Sequence, residues 1–185
     1  MSGTLINYKT ENGIFKDFVE IVNEALKYFN IQGWQVRQLY QVLNVNILKP
    51  TIFLSIITNP QAGAQYRTNK KINGQIVETY NTKQEVKIRI HAARKRSIKD
   101  DENTLNGIDV LDLILRYLQS PKGIELLKSY KYAQYRASDL TNQNFLDDSE
   151  NVELMPFFEC EYLYTNSWTD TVPEVDKFTI DIHKI

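Results

Sequence analysis

The sequence holds little of the chemistry that marks an active site. Of its 185 residues, one is cysteine and two are histidine. Cys160 has no partner for an internal disulfide, which excludes a disulfide scaffold and suits a reducing cytoplasm. His91 and His183 lie far apart, each on the polar side of an alternating segment, where a solvated side chain is expected. No cluster of His, Cys or carboxylate has metal-ligand spacing, so neither a metal nor any other cofactor is expected. The oxygen-rich run from Asp147 to Asn151 lacks the sharp-turn glycine and the closing glutamate of a calcium loop. There is no glycine-rich phosphate cradle and no nucleophile elbow. The formal net charge is −1 and the pI about 6.2, which excludes an overall basic field that would draw the chain to nucleic acid or anionic lipid. No apolar run approaches the ~18 residues of a membrane span, so no membrane partner is expected. The opening MSGTLINYKTENG has no apolar stretch of signal-peptide length, and the protein is expected to work where it is made.

What is present is strong periodicity. Residues 76–96, IVETYNTKQEVKIRIHAARKR, alternate strictly from Glu85 onward: Val86, Ile88, Ile90 and Ala92 face one way, and Glu85, Lys87, Arg89 and His91 the other. A two-residue repeat is a strand with one dry face and one wet face. Thr51–Thr58, TIFLSIIT, is nearly continuously apolar and predicts a strand covered on both sides. Between these two runs, Asn73 and Gly74 supply the positive φ angles of a tight turn, so residues 76–96 are expected to form the second arm of a long β-hairpin. The hairpin tip, residues 64–76, is polar and mildly basic, and is expected to project as a two-stranded ribbon. Such a ribbon is marginal alone and has to lean on something, such as another subunit.

Around this hairpin the chain reads as a single α+β domain over residues 1–185, with a mainly antiparallel sheet packed against two main helices. Residues 1–12 predict an irregular lead-in. Residues 14–29 carry the apolar stripe Ile14, Phe18, Ile21, Val22, Ala25 and Phe29 of an amphipathic helix. Residues 34–45 read either as a short strand or as a strand followed by a turn. Ser97 and Asp100 have capping-box spacing ahead of a second helix running through Leu105, Ile108, Leu111, Ile114 and Leu118. Ser120 followed by Pro121 predicts the start of a third, short helix. Residues 130–138 read as a strand and residues 139–151 as a polar loop. Residues 155–168 alternate with Phe158, Cys160, Tyr162 and Tyr164 inward and Glu159 and Glu161 outward. Residues 167–176 read as a linker and residues 177–185 as a last strand, so 169–185 forms a C-terminal extension.

Few residues compete for a chemical role. Cys160 falls on the apparent core side, where a thiol is inert. Asp109 and Asp112 share a helix face, but nothing complements them as an acid–base pair, and a hydrolase using Asp109 or Asp147 has only scattered carboxylates behind it. No enzyme is expected. Arg94, Lys95, Arg96 and Lys99 form the one basic cluster, a solvated strand end or a phosphate contact. Asp100, Asp101 and Glu102 follow it within a Debye length. The eleven tyrosines fit either core positions or surfaces that are both apolar and hydrogen-bonding, as interfaces are.

The first helix, Pro50 leading into TIFLSII, the QEVKIRIHAARK strand, the second helix and the late FFECEYLY strand together resemble the neck or tail-terminator (tail-completion) proteins of tailed bacteriophages. The likeness lies in the order and spacing of elements across residues 14–168. It implies a non-enzymatic virion protein, present in the host cytoplasm during assembly. Its expected form is a homo-oligomeric ring, commonly a hexamer, that caps the tail tube and docks the head connector, with DNA only as transiting cargo. Another head–tail connector or a baseplate component shares most of these features. A nucleic-acid-binding module using residues 94–99 is the alternative from a different class. Within the ring reading, the candidate interface comprises Gln65, Tyr66, Arg67, Lys70 and Lys71 on the projecting hairpin, with Lys87, Arg89, His91, Arg94, Lys95 and Arg96 on the central strand and its end.

Overall fold

The computed structural model describes residues 4–39, 49–73, 75–94, 104–142, 144–146 and 152–172. Helix α1 (Glu11–Tyr28) begins where the Thr10 side chain accepts a hydrogen bond from the Gly13 N–H at 3.1 Å. It buries Ile14, Phe15, Phe18, Ile21, Val22, Ala25 and Leu26, the stripe its spacing predicts. Helix α2 (Gly107–Gln119) opens on a capping box between Asn106 and Asp109, not on Ser97 and Asp100, which lie outside the described residues. The Asp109 carboxylate is thereby occupied as a cap, and Asp112 accepts from Arg116 Nε at 2.7 Å one turn on. Helix α3 (Pro121–Ser129) starts with Ser120 as cap and Pro121 at its first position.

The fold is α+β. Seven strands form one sheet: β1 (Thr4–Asn7), β2 (Gln35–Gln38), β3 (Thr51–Thr58), β4 (Tyr66–Ile72), β5 (Gln75–Ala93), β6 (Ala133–Ala137) and β9 (Phe157–Val172). Only β2 and β3 pair in parallel; every other pairing in the sheet is antiparallel. Strands β5 and β9 are its spine, in unbroken register from Ile76 opposite Val172 to His91 opposite Phe157. Different strands flank the two halves of that spine. Over the half nearer Ala93, β3 lies on β5 and β6 on β9; over the half nearer Gln75, β4 lies on β5 and β1 on β9. The first half is the body and the second half is the arm.

The helices cover one side of the body. Helix α2 packs on β5 and β9, while α1 packs against α2, β2 and β3. Ile52, Leu54, Val86, Ile88, Ile90, Ala92, Phe158, Cys160, Tyr162 and Tyr164 meet them in one buried cluster. Phe18 seats its ring 4.7 Å from Tyr162 and 5.0 Å from Tyr132, tying α1 to the sheet.

Several expectations are corrected. The hairpin turn at Asn73 (φ 50°) joins β4 to β5, whereas Thr51–Thr58 pairs with the body half of β5. A register shift between Ile56 and Thr58 precedes the last pair, Thr58 with Lys87, and residues 59–63 then follow β5 through Ala62 N–H to Lys83 O and Glu85 N–H to Pro60 O. The projecting hairpin is not a two-stranded ribbon, because β9 and β1 continue the sheet beside it. Of the lead-in expected at residues 1–12, the described part, 4–12, holds β1 and the start of α1. Residues 167–172, read as linker and extension, are the end of β9. The polar loop holds β7 (Asn144–Leu146), which pairs with β8 (Val152–Leu154) just past the loop's end in a small two-stranded sheet. The strand expected at 177–185, with His183, lies outside the described residues, as do Asp147 to Asn151.

Candidate functional site

Strand parity sorts the sheet's side chains onto a helix-bearing face and a helix-free face. On the helix-free face, odd-numbered residues of β5 stand beside odd-numbered residues of β9. In the body this sets Lys87 opposite Glu161 and Arg89 opposite Glu159. Arg89 donates from Nε to Glu159 Oε1 at 2.7 Å, and Lys87 Nζ reaches Glu159 Oε2 at 2.8 Å and Glu161 Oε1 at 3.5 Å. Two cations and two carboxylates thus close a network with no net charge. Partial burial alone would raise the Glu159 carboxyl, but the hydrogen bonds from Lys87 and Arg89 outweigh it and hold it below the ordinary carboxylate range. The same bond to Glu159 raises Lys87.

Beyond this network, the helix-free face of the arm carries hydroxyls and amides. Thr68, Thr79, Thr169 and Thr4 lie in register across all four strands. The neighbouring row is Tyr66, Asn81, Ser167 and Asn7, with Ser167 Oγ donating to Asn81 Oδ1 at 2.8 Å. The other face of the arm is different in kind. Leu5, Trp168, Tyr80 and Arg67 form a row there, the Tyr80 and Trp168 rings stacking at 5.5 Å. Tyr80 Oη donates to Glu78 Oε2 at 2.6 Å, and Arg67 lies 3.7 Å from the same carboxylate.

The candidate residues therefore do not form one patch. Arg67 and Lys71 lie on the helix-bearing side of the arm, while Tyr66 and Lys70 lie on the helix-free side. Gln65 lines a polar cleft at the junction of arm and body, with Asn59, Thr82, Gln84 and Asn166. Lys87 and Arg89 share the helix-free face with Lys70, farther down β5. Arg94 turns back to donate to the Leu105 carbonyl at 3.1 Å, and Lys95 and Arg96 lie outside the described residues.

His91 is a correction. It is 8% exposed, not solvated, because it sits between Phe53 of β3 and Phe157 of β9 in register, with the Phe157 ring 5.6 Å away. Neither ring nitrogen has a hydrogen-bond partner among the described residues. Burial, with the Arg89 charge adding to it and Glu159 opposing, lowers its pKa to about 4. Cys160 is fully buried, and burial pushes its thiol up to about 12. Among the described residues, no group of three or more His, Cys, Asp or Glu side chains is placed to hold a metal ion. No helix among them is long and apolar enough to cross a membrane.

Three parts of this surface escaped sequence reasoning: the edge strand β1, the arm half of β9, and the pairing of Glu159 and Glu161 with Lys87 and Arg89. The outward parity of both glutamates was visible; their partners depend on register between strands seventy residues apart in the chain.

A family model described as E217 gateway protein gp29 matches residues 18–174, from within α1 to just past the end of β9. No curated protein matches the chain.

Proposed function

Because the chain belongs to the E217 gateway protein gp29 family, and so to the structural proteins of the phage head–tail neck, we propose that it is a tail terminator. In this reading it forms a homo-oligomeric ring, a hexamer, that caps the completed tail tube and offers its other side to the head connector. Assembly takes place in the host cytoplasm, and DNA passes through as cargo. The helix-free face of the sheet lines the channel.

One observation carries this reading: the helix-free face runs the full length of body and arm, with Lys87 and Arg89 at its centre neutralised in place. A channel that must let a polyanion slide has to be polar enough to stay wet and must not collect phosphate contacts. Lys87 and Arg89 held by Glu159 and Glu161, followed by rows of Thr, Ser and Asn, supply both conditions. The role is non-enzymatic. Support comes from the occupation of the groups that might act otherwise: Cys160 is in the core, Asp109 caps a helix and Asp112 pairs with Arg116.

Mass measurement in solution and electron microscopy with isolated tail tubes test the proposal. The expected result is a ring seated on the tube end. A chain that stays monomeric and never caps tubes overturns it. A second reading, a neck connector placed away from the tube, is favoured by the gateway description of the family. It predicts a ring that binds head connectors and leaves tube ends bare.

A further inference from the structure

We propose that the ring closes by strand addition: the β4 edge of one subunit pairs antiparallel with the β1 edge of the next, joining the arms into one continuous sheet. The proposal rests on the ring reading above and names its seam.

Among the described residues, both edges of the arm are open. β4 hydrogen-bonds to β5 on one side only, and all seven of its residues are exposed. β1 hydrogen-bonds to β9 on one side only, and three of its four residues are exposed. An edge strand presents a row of unpaired N–H and C=O groups, which is a template for another strand. Four of the ten exposed large hydrophobic side chains among the described residues lie on these two strands, Leu5, Ile6, Tyr66 and Ile72, and Tyr8 follows β1 directly. Such side chains are out of place on an edge meant to stay in water.

Strand polarity makes the two edges complementary. β4 is antiparallel to β5, β5 to β9 and β9 to β1, so β4 and β1 run in opposite directions across the arm. When a second copy is set beside the first with its sheet facing the same way, its β1 meets β4 as an antiparallel partner. That contact is heterologous and repeats from subunit to subunit, the kind that closes a ring. The isologous alternative, β4 against a second β4, is disfavoured by charge. Centred on Asn69, it sets Arg67 opposite Lys71, and like charges directly opposite across strands repel. β1, with Thr4, Leu5, Ile6 and Asn7, has no ionisable side chain to oppose those cations.

Cysteine cross-linking of the full chain tests the seam, and the buried Cys160 leaves introduced surface cysteines to react alone. Face parity restricts which pairs meet: Thr4 shares the helix-free face with Thr68 and Lys70, and not with Asn69. Combining Thr4→Cys with Thr68→Cys or Lys70→Cys in one chain, then oxidising the assembled ring, is expected to give a covalent ladder on a denaturing gel, with one register dominant. Thr4→Cys with Asn69→Cys is expected to give none. A ring of unchanged mass without any ladder overturns the seam alone, as do dimers from Asn69→Cys by itself. A chain that remains monomeric overturns the ring reading and the seam together.

Discussion

Replacing Glu159 and Glu161 together by glutamine strips Lys87 and Arg89 of their counter-charges while keeping side-chain size and hydrogen-bonding capacity. In the wild-type face these four residues sum to zero; in the double variant they sum to two positive charges per subunit, on a surface proposed to face DNA. Each phosphate neutralised releases counterions, and two contacts per subunit give log K a slope of about −1.8 against log salt. Between about 50 and 200 mM salt, a fourfold rise, binding by one engaged subunit should weaken about twelvefold, and each further subunit of a ring multiplies that factor. The expected outcome, read by fluorescence anisotropy with a labelled duplex, is salt-sensitive binding by the variant and none by the wild type. The lost charge-assisted bonds should cost about 1 kcal/mol, small enough that circular dichroism and thermal unfolding show a folded chain. Two results refute the reasoning: a folded double variant that gains no affinity for DNA, or a wild type that already binds with the same slope.

His91 should make the fold acid-sensitive. Its folded pKa of about 4 lies below the ordinary 6.5, so as pH falls through that interval the unfolded chain binds the proton first and stability drops, by at most about 3 kcal/mol. Denaturant midpoints measured from pH 8 to pH 4 should show this fall, and His91→Phe, which suits the slot between Phe53 and Phe157, should flatten it. The depressed Glu159 acts in its own, lower window: its contribution is present above the unfolded carboxylate pKa and lost as pH falls through the folded one. Gly123→Ala should destabilise by about 3 kcal/mol, because a Cβ there falls 2.0 Å from the Tyr117 carbonyl oxygen where α3 crosses the end of α2. A thermal midpoint unchanged within a degree would contradict that packing. Deleting residues 64–71 should leave the helical circular-dichroism signal in place and abolish assembly, since β4 is exposed throughout. Loss of the helical signal would show that β4 belongs to the folding core.

The parts legible in the sequence are those whose periodicity is written against a dry neighbour. The α1 stripe, the continuous run of β3 and the alternation of Val86 to Ala92 report local burial, the Ser120–Pro121 helix start reports cap chemistry, and all four elements stand where the pattern set them. The arm has no such contrast. YRTNKKI of β4 is exposed throughout, and TNSWTDT toward the end of β9 is polar on both faces even where Asn166 and Ser167 are buried, so nothing in their own order separates strand from loop. β1 is four residues long and is held by β9, more than 150 positions away. His91 stands on the face its alternation predicts, yet its burial comes from Phe53 and Phe157, contributed by two other strands. Parity is local; cover is not.

That division also explains how a polar arm keeps a unique register. A one-residue slip between β5 and β9 would turn every side chain of the slipped strand to the opposite face. In the arm such a slip would cost little, because threonine, serine and asparagine tolerate either face of a wet sheet. In the body it would drive either Lys87 and Arg89 of β5 or Glu159 and Glu161 of β9 into the helices, and expose Ile88 and Ile90 or Phe158 and Tyr162, each of which is now at most 1% exposed. Since β5 and β9 run through both halves without a bulge, the register enforced in the body is imposed on the arm. The arm needs no dry face of its own, and its two edges and its hydroxyl rows arrive positioned by a core that they do not touch. The body should therefore tolerate polar substitutions along the arm, such as Thr79→Ser or Thr169→Ser, with stability changed by less than about 0.5 kcal/mol. A substitution such as Ile88→Asp, which buries an unpaired charge in the spine, should unfold body and arm in one transition.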